Sequence, residues 1–465
     1  MSATPNYART ALSSYRIGGK LAILTLLWFG ASLLPLEGAA QAQTTGASSR
    51  PSTSLKDAID RTTTENTQLH IFYVHGMAAA GPGTSASEDL RKSLCKYLRD
   101  CTSKAGDFDG TEYASSGDFA LNSPPPPLKY LGQPLWNTDA SGTSQDWNAS
   151  APYVDHYKLA RRDKSGHNEP TIYIDEINWW PLVFAPKCRE IIADEASLAG
   201  PNKTYIHTCS LSASPDPKTP GRFRTYPFIV NPGKLTALPP HGALLNRALK
   251  TFVLDWGFSD AVLAVGPMRA LFLEGIGELV LKSFKVTADG TRGDGATPAP
   301  NQEFVVVSHS LGSYLMFSAL DFTDPATPTP PRWRDDFEYV LRNTSKAYFL
   351  ANQVRLLELA NLDVTKNGNL VAHLKTWSDL RRAARKDVPQ IVAWSDPSDL
   401  LTWSVPHLDP IADVCNESVQ NAPHWFWLIE SPGKAHTRYD QDKRVIKMML
   451  PKKKEEQKGA LKCGP

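Results

Sequence analysis

The sequence predicts an α/β protein, a mostly parallel sheet flanked by helices. Three observations predict it. Short runs rich in β-branched and aromatic residues recur at 69–74, 171–184, 304–307, 346–354 and 391–394, the look of strands buried on both faces. Helix-compatible segments separate many of them, as parallel strands require a crossover. His, Gly, Ser and Asp gather just past the ends of several runs, where open α/β sheets place functional groups.

The most informative run lies in EFVVVSHSLGSYLMFSAL, residues 303–320. Phe304 to Val307 read as a buried strand, Ser308-His309-Ser310-Leu311-Gly312 as a sharp bend, and Tyr314 to Leu320 as an apolar helix. A serine at such a bend is exposed for attack only if its neighbours two before and two after are small, or strand and helix collide. Gly312 meets that need, and Ser308 stands where glycine is usual. The plainer alternative is that Ser310 caps an ordinary helix.

Residues 1–42 read as an export signal: a basic start (Arg9, Arg16, Lys20), the apolar run LAILTLLWFGASLL, then Ala40-Gln41-Ala42 as a small-x-small cleavage site. The run is short of the about 20 apolar residues of a membrane span; the alternative is an uncleaved N-terminal anchor. The expected location is secreted or periplasmic. Removing the signal takes three of the 50 Lys+Arg and one of the 48 Asp+Glu, leaving 47 of each sign. That balance speaks against a nucleic-acid partner. Six cysteines in an exported chain suggest disulfides, with 95–101, 188–209 and 415–463 as the nearest-neighbour pairing and free buried thiols as the alternative. No CxxC pair is present to suggest a zinc or redox site.

Residues 43–67 read as a flexible leader with a short helix near Leu55 to Ile59, and 68–450 as one α/β domain. Its first strand, LHIFYVHGM, ends in His75-Gly76-Met77, where a glycine lets the backbone turn closely and the Met77 N–H would face a developing negative charge; the plainer alternative is an ordinary strand-to-loop turn. Leu90, Leu94 and Leu98 then mark an amphipathic helix. Residues 102–168 and 185–240 are loop-rich insertions by composition, the first with Trp136 and Trp147 as anchors. The segment 243–284 is helical and apolar, read as helices packed on the sheet or as a lid, and its charges interrupt any membrane span. The basic tail 451–465 offers peripheral contact with an acidic membrane, against the plainer reading of a solvated end.

An acid and a base complete the pattern. Asp396 and Asp399 lie just past the strand at 391–394 in SDPSDLLTW. Asp399 is preferred because Leu400 and Leu401 can bury behind it, whereas Asp396 precedes a proline; the alternative is an ordinary aspartate turn. For the base, His436 follows the run HWFWLIE at 424–430, while His424 precedes it and so falls at the wrong end of the sheet. His309 is read as structural and His75 as ordering the loop after the first strand.

In FVVVSHSLGS, SDPSDLLTW and AHTRY the chain resembles the α/β-hydrolase superfamily, in its exported lipase/esterase-like branch, over roughly residues 69–98 and 171–450. The resemblance implies an α/β-hydrolase fold with a large insertion before the Ser310 bend, Ser310 as nucleophile, Asp399 as acid, His436 as base, and Met77 and Leu311 as oxyanion donors. It implies a small-molecule or lipid ester as substrate, no cofactor and no metal. The expected function is therefore a serine carboxylic ester hydrolase. The alternatives are an acyltransferase with the same triad and a non-catalytic binding protein on a hydrolase scaffold.

Overall fold

A computed structural model describes residues 54–65, 67–77, 85–98, 101, 106–114, 129–130, 133–134, 152–159, 172–183, 258–266, 269–285, 299, 301–320, 331–361, 369–421 and 432–451. The strands are β1 (Gln68–Val74), β2 (Asp107–Tyr113), β3 (Lys129–Tyr130), β4 (Gln133–Pro134), β5 (Tyr153–Leu159), β6 (Ile172–Asn178), β7 (Gln302–His309), β8 (Thr344–Leu350), β9 (Gln390–Ser395) and β10 (Asp413–Ser418). Eight of them form one sheet in the order β10-β9-β8-β7-β1-β6-β5-β2, and β3 pairs with β4 apart from it. From β10 to β6 every neighbouring pair is parallel; β5 and β2 extend that edge in antiparallel pairs.

The apolar runs are continuous because both faces are covered. Along β1, Phe72 and Val74 enter one core while Leu69, Ile71 and Tyr73 enter the other. β7 alternates in step, with Phe304 and Val306 on the first side and Val305 and Val307 on the second. The first face is covered by helices Ser259–Val265, Arg269–Phe284, Leu311–Ser318, Pro331–Asn343 and Asn369–Ala383, the second by Lys56–Thr64, Glu88–Leu98 and Lys443–Met449. Leu90, Leu94 and Leu98 are all buried, as their spacing requires. β1 and β7 are adjacent and parallel, yet the helices that follow them lie on opposite faces. A crevice opens at the carboxyl ends of such a strand pair.

Several elements depart from the sequence expectation. β2 and β5 fall within 102–168, where composition suggests only a surface excursion; β2 (DFDGTEY) forms the sheet edge and keeps Phe108 and Asp109 exposed, so it needs no apolar face. β10 (DVCNES) is the opposite edge and equally polar. The run at 346–354 ends as a strand at Leu350, because Ala351 turns into the left-handed region at φ 54°. The leader contributes a packed helix, Lys56–Thr64, with the Leu55 N–H bonded to the Met449 carbonyl at 2.8 Å. Within 243–284, Phe272, Ile276, Leu279 and Val280 of the Arg269–Phe284 helix are core residues. Among the described residues no helix is long and apolar enough to cross a membrane. Cys95 and Cys101 are disulfide-bonded; Cys188, Cys209 and Cys463 lie outside the described residues, as do the 424–430 run, His424, Trp136 and Trp147.

Candidate active site

Ser310 stands between the end of β7 and the helix Leu311–Ser318, with φ 53° and ψ −122°. A side-chain-bearing residue in such a conformation is strained by about 1–3 kcal/mol and persists only where its surroundings over-determine it. Here the Ser310 N–H donates to the Leu350 carbonyl at 2.8 Å, and Ser313 Oγ donates to the Ser310 carbonyl at 2.5 Å.

The small residues around the bend have identifiable neighbours. A Cβ added at Gly312 would come within 2.5 Å of the Val74 carbonyl oxygen and 2.6 Å of that of His75. The collision that demands glycine is thus with the end of β1, not with the residue's own strand. A Cβ at Gly76 would meet His309 Nδ1 at 2.5 Å and Ser310 Cβ at 2.7 Å. The two glycines let the turn after β1 and the bend after β7 touch backbone to backbone. Ser308 is fully buried, and its hydroxyl reaches the Tyr348 carbonyl on β8 at 3.3 Å.

The three distant sequence candidates meet here. Ser310 Oγ lies 2.7 Å from His436 Nε2. The other ring nitrogen, Nδ1, donates to both oxygens of Asp399, at 3.0 and 2.9 Å, which leaves Nε2 to accept the serine proton. Ser310, Asp399 and His436 are all buried. His436 lies in a single helical turn, Pro432–Thr437, rather than in an open loop. Asp396 is placed otherwise: its Oδ1 accepts the Ser398 N–H at 2.8 Å and its Oδ2 the Asn421 N–H at 2.6 Å. It shapes the turn and ties it to the chain after β10, while Asp399 faces the imidazole.

The other two histidines support this line without joining it. His309 Nε2–H donates to the His436 carbonyl at 2.8 Å, and burial, followed by the neighbouring His436, lowers its pKa to about 3, so it stays neutral. His75 Nδ1–H donates to the Gly76 carbonyl at 2.8 Å, and burial lowers its pKa to about 4. It stacks on Trp179 at 4.7 Å between ring centres, and Trp179 Nε1–H donates to the His75 carbonyl at 2.9 Å.

Three residues of the site carry no sequence signal of their own. Tyr439 bonds Asp399 through its hydroxyl; it follows His436 by three positions, which is the only hint. Trp179 fixes the main chain before Gly76 from the end of β6. Asn352 links the bend to the acid loop, its Oδ1 3.4 Å from Ser313 Oγ, its Nδ2 donating to the Trp403 carbonyl at 3.0 Å. Met77 and Leu311, the remaining candidates, are buried beside the bend, and neither N–H has a main-chain acceptor among the described residues.

Chemically, a hydroxyl bonded to an imidazole that a carboxylate orients can be deprotonated as it attacks an electrophile. Among the described residues no group of three or more His, Cys, Asp or Glu side chains is disposed to hold a metal ion. Comparison with family models, with curated proteins and with solved structures finds no match to this chain.

Proposed function

We propose that this chain is a serine hydrolase of the α/β-hydrolase type that cleaves carboxylic esters, as an esterase or lipase does, through an acyl-enzyme on Ser310. The observation that carries the reading is the bonded line from Ser310 Oγ through the His436 ring to Asp399, with lengths of 2.7 Å and 2.9 Å. It lies at the carboxyl ends of adjacent parallel strands, on a strained bend.

In the proposed reaction Ser310 Oγ attacks the ester carbonyl while His436 Nε2 takes its proton. The tetrahedral intermediate collapses as His436 returns that proton to the leaving alcohol, which departs as the carbon–oxygen bond breaks. Water then attacks the acyl-serine, again giving its proton to His436, and the carboxylic acid leaves as Ser310 recovers the proton. Asp399 holds Nδ1–H throughout and offsets the charge of the transient imidazolium. Met77 and Leu311 N–H groups are the proposed oxyanion donors, a role worth about 3 kcal/mol for each such donor. Their buried position next to the Gly76–Ser310 contact supports this assignment. Burial of the reacting groups strengthens each of these interactions.

The chain is further proposed to act after export, with residues 1–42 removed, so that the mature protein begins at Gln43. The activity test is hydrolysis of short p-nitrophenyl esters. Ser310→Ala is expected to lose at least a thousandfold in kcat/KM, and full activity in that variant contradicts the assignment.

A further inference from the structure

β6 runs beside β1 and supplies none of the groups of the proposed reaction. Two side chains at its carboxyl end, Glu176 and Trp179, nevertheless hold the segment that leaves β1 through His75, Gly76 and Met77.

The hold before Met77 acts on one peptide unit. The Gly76 carbonyl and the Met77 N–H belong to the same planar trans unit and point in opposite directions. Whatever fixes that carbonyl therefore aims the N–H. His75 Nδ1–H fixes it, donating to the carbonyl at 2.8 Å. Trp179 in turn holds His75 twice. Its ring lies against the imidazole, 4.7 Å between centres and 19° between planes, and its Nε1–H donates to the His75 carbonyl at 2.9 Å. Trp179 is fully buried and packs on Phe272 at 5.8 Å, so the clamp has a rigid backing.

The hold after Met77 is a carboxylate. Glu176, fully buried, accepts four hydrogen bonds from the residues that precede the Glu88–Leu98 helix. Ser85 Oγ donates at 2.6 Å and Ser87 Oγ at 2.5 Å, the Ala86 N–H at 2.9 Å and the Ser87 N–H at 3.1 Å. An ordinary helix cap satisfies one such N–H; this carboxylate takes two, and both hydroxyls. Arg91 of the same helix donates Nε to Ser87 Oγ at 3.0 Å and Nη2 to Ser85 Oγ at 2.9 Å. Each hydroxyl is thus held between a guanidinium and a carboxylate. Trp179 belongs to the first core, whereas Glu176 faces the Glu88–Leu98 helix, which covers the second. The segment is gripped from opposite faces of the sheet.

We propose that Trp179 and Glu176 are positioning residues for the oxyanion contact, fixing the direction of the Met77 N–H from the neighbouring strand. This rests on the hydrolase reading, in which that N–H meets the charge developing on the substrate's carbonyl oxygen. Such a donor is effective because it is aimed before the charge appears, and a hydrogen bond weakens steeply once its angle is lost.

The test compares hydrolysis of a short p-nitrophenyl ester with that of the thionoester, which has sulfur in place of the carbonyl oxygen. Sulfur is the weaker acceptor, so an aimed donor favours the ester, and the ester-to-thionoester ratio of kcat/KM reports the aim. Trp179→Phe keeps an aromatic ring beside His75 and removes the N–H donor. Its ratio is expected to fall about tenfold, with circular dichroism showing the parent fold. Glu176→Gln should move the ratio in the same direction. A purely structural role would lower both rates by one factor. An unchanged ratio in folded Trp179→Phe would overturn the proposal; where that variant fails to fold, an unchanged ratio in Glu176→Gln does so. A parent that cleaves neither ester contradicts the hydrolase reading and this proposal with it, whereas an active parent with unmoved ratios in the variants contradicts the proposal alone.

Discussion

The Tyr439 hydroxyl donates to Asp399 Oδ2 at 3.1 Å and accepts the Asp396 N–H at 2.6 Å. One phenol therefore joins the carboxylate that faces His436 to the start of the loop that carries it. Burial, reinforced by the charge of Asp399, raises the phenol's pKa, so it remains a proton donor throughout the neutral range. On the hydrolase reading, Tyr439 is a positioning residue. Tyr439→Phe keeps the ring in its buried place and removes only the bridge, worth about 1–2 kcal/mol. The expected result in ester kinetics is a fall in kcat of roughly 5- to 30-fold with KM almost unchanged. An unchanged kcat would remove Tyr439 from the account.

The two aspartates of the acid loop separate by experiment. Asp399→Asn is expected to lower kcat by about 10³- to 10⁴-fold, as when a triad acid no longer fixes the imidazole tautomer. Asp396→Asn should act mainly on stability, because it weakens the acceptors of the Ser398 and Asn421 N–H groups, at a cost of about 1–3 kcal/mol. Comparing kcat and thermal midpoint for both variants checks the assignment; a reversed pattern would exchange their roles.

Gly312 is expected to tolerate no side chain. A methyl there presses on the main-chain oxygens of Val74, which ends β1, and of His75 just after it, and these cannot move aside as a flexible side chain would. Gly312→Ala should lose about 1–3 kcal/mol or more, read as a lowered denaturation midpoint. Gly76→Ala presses instead on His309 and Ser310, so its loss should fall more heavily on kcat than on stability. Equal stability of Gly312→Ala and the parent would contradict the described contact between β1 and the bend.

Much of this arrangement is legible in the sequence, and the parts that are not share a physical cause. Strands β1 and β7 announce themselves because burial on both faces demands unbroken apolar runs. The bend at Ser310 is legible because its steric needs fall on neighbours in the chain. β2 and β10 escape notice because an edge strand has fewer partners and tolerates polar residues such as Asp107, Asp109 and Asn416. Asp399 is separable from Asp396 only by the burial that Leu400 and Leu401 suggest and by the proline that follows Asp396. In the event Leu400 is exposed, and the Asp399 carboxylate is held by Tyr439 and by the Leu401 N–H at 2.9 Å. The site's second layer, Tyr439, Trp179 and Asn352, depends on contacts between distant segments, which no local pattern encodes.

Asp440 gives a pH prediction. Burial, with Asp89 adding to it, raises its pKa from 3.8 to about 6. Between those values the folded chain binds the proton more tightly than the unfolded chain, so stability from this group falls as pH rises through the window. Above pH 6 the half-buried carboxylate costs up to about 3 kcal/mol. Asp440→Asn should therefore raise the thermal midpoint at pH 7.5, and its advantage should shrink toward pH 4. His75 and His309, whose pKa values are lowered, contribute equally to both proteins and cancel. A difference independent of pH would refute the assigned cause.

Covalent labelling by a fluorophosphonate probe, with the modified peptide located by mass spectrometry, tests the central claim most directly. The account predicts one label, on Ser310, absent from Ser310→Ala and formed at least a hundredfold more slowly in His436→Ala. An unlabelled Ser310, or one that reacts as fast without its histidine, would contradict it.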